Sequence, residues 1–200
     1  MKKILITGAS GFIGQNLIKK SLKLDYLVHG MTRKYLDFGN YSNLKFFFID
    51  NINSKEKLNE ALQGIDCIIH CAGKTNIGSS ADNFKLINVQ FTKNLAECAF
   101  KSGVKRFIFL SSIKVNGENT TKKNKIKVFD HNNDPNPQDS YAISKKEAEK
   151  LLQDIALKTG LEVVIVRLPL VYGSGVKGNL KRLIKLIKLR VPLPFKKIKN

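Results

Sequence analysis

The chain has 200 residues, 42% of them hydrophobic, enough for one sizeable core, which excludes wholesale disorder. No apolar run reaches the roughly 18–20 residues that cross a bilayer, and the apolar start at Ile4 is cut at Thr7-Gly8, too soon for a signal peptide. Lys and Arg outnumber Asp and Glu by 35 to 16, a formal charge of +19 that thickens from Lys177 to Lys199. A cytoplasmic protein with no membrane partner is expected. A basic surface attracts polyanions and phosphorylated metabolites. The aromatics lie mostly in strands rather than interleaved with the basic run, and there is no nucleic-acid-binding motif, so no nucleic-acid partner is expected, and a Lys-, Asn- and Ile-rich coding bias is the simpler account. Cys67, Cys71 and Cys98 lie in apolar segments without partners at zinc-ligand spacing, which predicts reduced thiols and no metal site.

In chain order, the apolar run 3–7 predicts a strand, followed by a glycine cluster and a helix whose apolar residues Phe12, Ile13, Leu17 and Ile18 have helical spacing. Strands are predicted at 26–31 and 44–49. A helix over 54–63 opens on Ser54 and stops at Gly64. A strand at 67–71 precedes Ala72-Gly73. One long helix is predicted over 83–101, stopped by Gly103, and then a strand at 106–110. Residues 117–138 are polar and read as loop. A helix over 140–158 ends at Gly160, a strand follows at 162–167, and an apolar-basic helix at 180–189 comes last. Apolar strands alternating with helices predict an α/β fold, a doubly wound parallel sheet covered on both faces.

Gly8, Gly11 and Gly14 follow the first strand and open the first helix. The first permits the sharp turn, the second lets backbone approach a pyrophosphate, and the third lets helix pack on strand. In this context the triplet predicts dinucleotide binding. Downstream, Tyr141 and Lys145 are four apart on one predicted helix and share a face. A phenol with a reference pKa near 10 is a poor base at pH 7. A nearby ammonium and an oxidised nicotinamide both favour phenolate and draw its pKa down. Ser112, on the loop after a strand, can hydrogen-bond the same substrate oxygen. Arg33, with no acid near it in Thr32-Arg33-Lys34, can meet a 2′-phosphate; the ordinary alternative is a solvated cation.

The Gly-x-x-Gly-x-x-Gly loop and Tyr141-Ala142-Ile143-Ser144-Lys145, in this order, resemble the extended short-chain dehydrogenase/reductase family of nucleotide-sugar epimerases, dehydratases and 4-reductases. Asp50, His70-Cys71-Ala72-Gly73, Asn88-Val89, Ser111-Ser112 and Arg167 through Gly173 also match, so the likeness runs along essentially the whole chain. It implies a Rossmann-like fold with a dinucleotide-binding domain over 1–175. Residues 176–200 would open a substrate lobe that is largely absent. For NADP or NAD it implies contacts from Gly8, Ser10, Gly11, Phe12, Ile13, Gly14, Arg33, Asp50 (at the adenine), Asn51, Cys71, Ala72, Gly73, Asn88, Ser111, Tyr141, Lys145 and Pro169. Ser112, Tyr141 and Lys145 would be catalytic, the Lys also holding the nicotinamide ribose. Lys74, Ser112, Tyr141 and Asn179 would meet a UDP-linked sugar. His70 reads as a strand-end residue near the cofactor, and a homodimer is possible.

The departures narrow the reaction. Related 4,6-dehydratases follow the catalytic Ser or Thr with Asp-Glu, where this chain has Ile113-Lys114; lysine cannot replace two proton-handling carboxyls. The run from Ser111 to Glu118 looks most like a subgroup linked to surface-polysaccharide sugars that includes UDP-4-keto-sugar 4-reductases. A reductase would use NADPH. A UDP-sugar 4-epimerase would hold NAD⁺ and return the hydride to the other face of the sugar. The missing acid after the second strand tips the expectation toward the reductase. A non-catalytic dinucleotide sensor is the alternative from another class, and an intact Ser112, Tyr141 and Lys145 argue against it.

Overall fold

A computed structural model describes residues 2–75, 80–122, 125–126, 128–176 and 178–192, without the side chains of 121, 122, 125, 126 and 179. Residues 1–169 and 170–200 form two compact units. In the first, strands β1 (Lys3–Thr7), β2 (Leu27–Thr32), β3 (Leu44–Phe48), β4 (Cys67–His70), β5 (Arg106–Ser112) and β8 (Glu162–Leu168) build one sheet. Its order is β3-β2-β1-β4-β5-β8, parallel throughout. Helices α1 (Phe12–Leu22), α2 (Lys55–Leu62), α4 (Phe91–Lys101) and α5 (Ser140–Thr159) connect the strands. Strands β6 (Thr121–Lys122) and β7 (Lys125–Ile126) make a short antiparallel pair inside the stretch read as loop. The second unit holds α6 (Gly178–Lys188).

The near-continuous apolar strands are explained by burial on both faces. On one face Leu5, Ile68, Phe107 and Phe109 pack with Leu58, Leu62, Leu95 and Leu152 from α2, α4 and α5. On the other, Ile4, Ile6 and Val28 pack with Ile18 and Leu22 of α1. Alternate residues of one strand thus serve opposite layers. Strand order reverses at β1, which pairs with both β2 and β4. In doubly wound sheets the ligand crevice opens at that switch point, beyond the carboxyl ends of the strands.

The helix expected over 83–101 is interrupted in its geometry. It begins as α3 (Ala81–Phe84), widens into a π turn over Lys85–Gln90 and tightens again into α4. Neither Gly nor Pro interrupts this stretch, so nothing local announces the π turn. It carries Asn88, which is fully buried, and single π turns of this kind gather at functional sites.

Candidate active site

Gly8 follows β1 with φ +65°, in the left-handed region, and a Cβ there would lie 2.8 Å from the Ala72 amide nitrogen. Gly11 donates its N–H to the Gly8 carbonyl at 2.8 Å, closing the turn, and Ala9 donates to Met31 at 3.0 Å. A Cβ on Gly14 would stand 2.2 Å from the Gly8 oxygen, so only glycine lets α1 start this close to β1. Gly11 caps α1 without a side-chain bond, which leaves the first helical N–H groups, around Phe12, Ile13 and Gly14, to meet an anion. This bare backbone cradle fits a pyrophosphate. Beside it lies a cavity of about 300 Å³ bounded by Gly8, Ser10 and Gly11, by Arg33 at the end of β2, and by Cys71 through Lys74 after β4.

Asp50 and Asn51 sit at the exposed end of β3, where the Asp50 carboxylate pairs with Lys57 at 2.6 Å and accepts the Asn51 amide at 2.9 Å. Ile49 and Ile52 supply the cavity wall there. The hydroxyl of Ser111, expected at the cofactor, donates instead to the buried Glu149 carboxylate. Successive strand residues face opposite layers, and Ser112 takes the other side. Pro169 follows β8 and is exposed, and the side chain of Asn179 lies outside the described residues.

A chain of buried hydrogen bonds runs from the glycine loop to the helix of Tyr141. Thr7 Oγ1 accepts the Ala72 amide at 3.1 Å and gives its one proton to His70 Nδ1 at 2.7 Å. Thr92 donates to the Asn88 carbonyl at 2.7 Å, so it accepts from His70 Nε2 at 2.9 Å. The two hydroxyls therefore hold His70 as the neutral Nε2–H tautomer. Burial, reinforced by Lys145, lowers its pKa to about 3, which suits a structural link and not a proton carrier at neutral pH. Asn88 clamps both backbone groups of Lys74, at 2.7 and 3.1 Å, and donates to Ser144 at 2.9 Å. Ser144 in turn donates to the Tyr141 carbonyl at 2.7 Å.

Ser112 ends β5, and Tyr141 and Lys145 stand one turn apart on α5. The expected effect of the lysine on the phenol is not what the structure shows. Lys145 Nζ donates to the Leu110 carbonyl at 2.8 Å and lies 4.4 Å from the Phe109 ring centroid. Burial brings its pKa down to about 8, against the opposing pull of Cys71 and Glu149. Tyr141 is held above its ordinary value by burial and Asp139, while Ser112 and Lys114 pull it back. Among the described residues the cation that bears on the phenol is Lys114, since Lys145 is bonded to the β5 backbone. Gly73 abuts the buried Lys145, since a Cβ there would lie 3.5 Å from its Nζ.

Sequence reasoning missed the anchor behind this site. Arg167 of β8 grips Glu149 of α5 through Nε at 3.0 Å and Nη2 at 2.7 Å, and gives Nη1 to Asn116 at 3.1 Å. Glu149 stands four residues after Lys145 on a face that packs inward, and a carboxylate so placed requires a partner. That spacing was the available signal.

The chain matches the model of the NAD dependent epimerase/dehydratase family over residues 4–195. It is 40% identical over 200 residues to a UDP-glucose 4-epimerase of Vibrio cholerae, covering 97% of this chain and 59% of that protein. It is 30% identical over 187 residues to N-acetyl-alpha-D-glucosaminyl-diphospho-ditrans,octacis-undecaprenol 4-epimerase of Escherichia coli O157:H7, covering 92% of this chain and 53% of that protein. The crystal structure of UDP-glucuronic acid 4-epimerase from Bacillus cereus in complex with NAD superposes with a TM-score of 0.81 at 27% identity, covering 96% of this chain and 65% of the other. The chain thus spans under two thirds of the length of these relatives. With the reversed strand order, the glycine cradle and the Ser112–Tyr141–Lys145 edge in place, the match over nearly its whole length makes it a member of the NAD dependent epimerase/dehydratase family.

Proposed function

We propose that this chain supplies the dinucleotide-binding and proton-transfer parts of an NAD-dependent nucleotide-sugar 4-epimerase. One observation carries the reading: Ser112, Tyr141 and Lys145 lie on the same carboxyl edge of the sheet as the glycine cradle and its cavity. Similarity to 4-epimerases of UDP-glucose and UDP-glucuronic acid supports the substrate class and the carbon attacked. Bound nicotinamide supplies the two-electron redox chemistry. Tyr141 takes the proton of the C4 hydroxyl and later returns it to the C4 oxygen, and Ser112 bonds that same oxygen. The Lys145 ammonium, which Gly73 of the cavity wall abuts, anchors a ribose diol. The first turn of α1 holds the pyrophosphate.

A second reading, a 4-reductase using NADPH, is favoured by the cation at the end of β2: Arg33 lines the cavity where NAD-specific sites place an acid. Calorimetry with NAD⁺ and NADP⁺ separates the two. Tighter NAD⁺, insensitive to Arg33→Ala, supports the epimerase. Tighter NADP⁺, losing about 1.5–3 kcal/mol in Arg33→Ala, supports the reductase. Binding of neither overturns both. Interconversion of a UDP-sugar with its C4 epimer, followed by proton NMR, should drop by about 10²–10⁴-fold in Tyr141→Phe while cofactor affinity holds.

A further inference from the structure

Ser112 and Tyr141 belong to different elements, so their approach depends on what ties the end of β5 to the start of α5. A 3₁₀ turn, Ile113–Val115, follows Ser112, whose hydroxyl accepts the Lys114 amide at 3.3 Å. From this turn Lys114 Nζ reaches Asp139 Oδ2 at 2.6 Å and Glu118 Oε1 at 3.2 Å. Asp139 is the N-cap of α5, and its other oxygen accepts the Ala142 amide at 2.7 Å. One carboxylate thus caps the helix and holds the Ser112 turn, two residues before Tyr141. Both side chains are part exposed, at 44% and 38%, and a core role does not explain them.

We propose that Lys114 and Asp139 are a positioning pair for proton transfer, strapping the Ser112 turn to the first turn of α5 and setting the field at the Tyr141 hydroxyl. The proposal rests on the reading in which Tyr141 moves the proton. The groups that bear on this phenol are Asp139 on its own helix, Ser112 and Lys114 from the β5 turn, and the uncharged ring of Phe84 from α3, with centroids 6.1 Å apart. Glu118 lies behind Lys114, and Lys145 is bonded to the Leu110 carbonyl.

The two partners act on the phenol with opposite sign: Asp139 raises its pKa and Lys114 lowers it. Lys114→Met and Asp139→Asn break the same ion pair, and asparagine keeps the helix cap. The experiment titrates tyrosinate absorbance in the 200-residue chain, with the Tyr141→Phe variant subtracted at each step. Lys114→Met should move the Tyr141 titration to higher pH and Asp139→Asn to lower pH. The double variant should return close to wild type, and added salt should shrink both shifts because the pair is part exposed. A merely structural strap would move both variants the same way or not at all, and either result overturns the proposal. The titration needs neither cofactor nor substrate, so opposite shifts in a chain that binds neither NAD⁺ nor NADP⁺ would sustain the pair's action on the phenol while removing the epimerase reading.

Discussion

Replacing Arg167 with methionine would strand the Glu149 carboxylate. That group is only 4% exposed, and among the described residues it would retain the Ser111 hydroxyl alone in place of a three-contact guanidinium. Removing one member of a buried pair costs about 3–5 kcal/mol. The Arg167 side chain is 20% exposed, so water can reach the gap, and the low end, about 3 kcal/mol, is expected. At about 2–4 °C per kcal/mol for a chain of this size, the melting midpoint should fall by about 6–12 °C. Glu149→Gln leaves a rim arginine that can rehydrate and should cost about 1–2 kcal/mol. The double variant buries no lone charge and should also cost about 1–2 kcal/mol, mostly for the Asn116 oxygen left without its donor. Urea unfolding of all four proteins closes the cycle, with an expected coupling of about 2–4 kcal/mol. Additivity within about 0.5 kcal/mol would refute the view that this pair anchors α5 to β8.

Two further outcomes follow from the site. Gly14→Ala drives a methyl into the Gly8 carbonyl oxygen, 2.2 Å away, so dinucleotide affinity should fall at least about tenfold, or about 1.4 kcal/mol; unchanged affinity by calorimetry would exclude the tight β1–α1 turn as the cradle. His70 has a folded pKa of about 3 against an ordinary 6.5, so the unfolded chain binds the extra proton between those values. Stability should therefore be lost as pH falls from about 6.5 toward 3, by on the order of 5 kcal/mol at most. Unfolding free energies of wild type and His70→Gln should show a shallower acid-side slope in the variant, and parallel slopes would exclude His70 as the source.

Residues 3–14 carried much of the reading locally: an apolar strand, three spaced glycines and a helical repeat make the β1–α1 turn visible without tertiary information. Tyr141 and Lys145 were equally visible, because four residues on a helix bring two side chains to one face. Apolar runs at β4, β5 and β8 announced a sheet buried on both sides. Other features depended on partners distant in the chain. The π turn at Lys85–Gln90 has no breaker to mark it; it accompanies the placement of Asn88 between Lys74 and Ser144. The proton of His70 is assigned by Thr7 and Thr92, and the partner of Glu149 lies eighteen residues on, in β8. The titration of Tyr141 follows burial, Asp139 and Lys114, while Lys145, adjacent by helical spacing, spends its ammonium on the Leu110 carbonyl. Spacing along the chain determines which side chains share a face. The charge or proton each one holds depends on desolvation and on partners from other elements, and only the packed structure decides those.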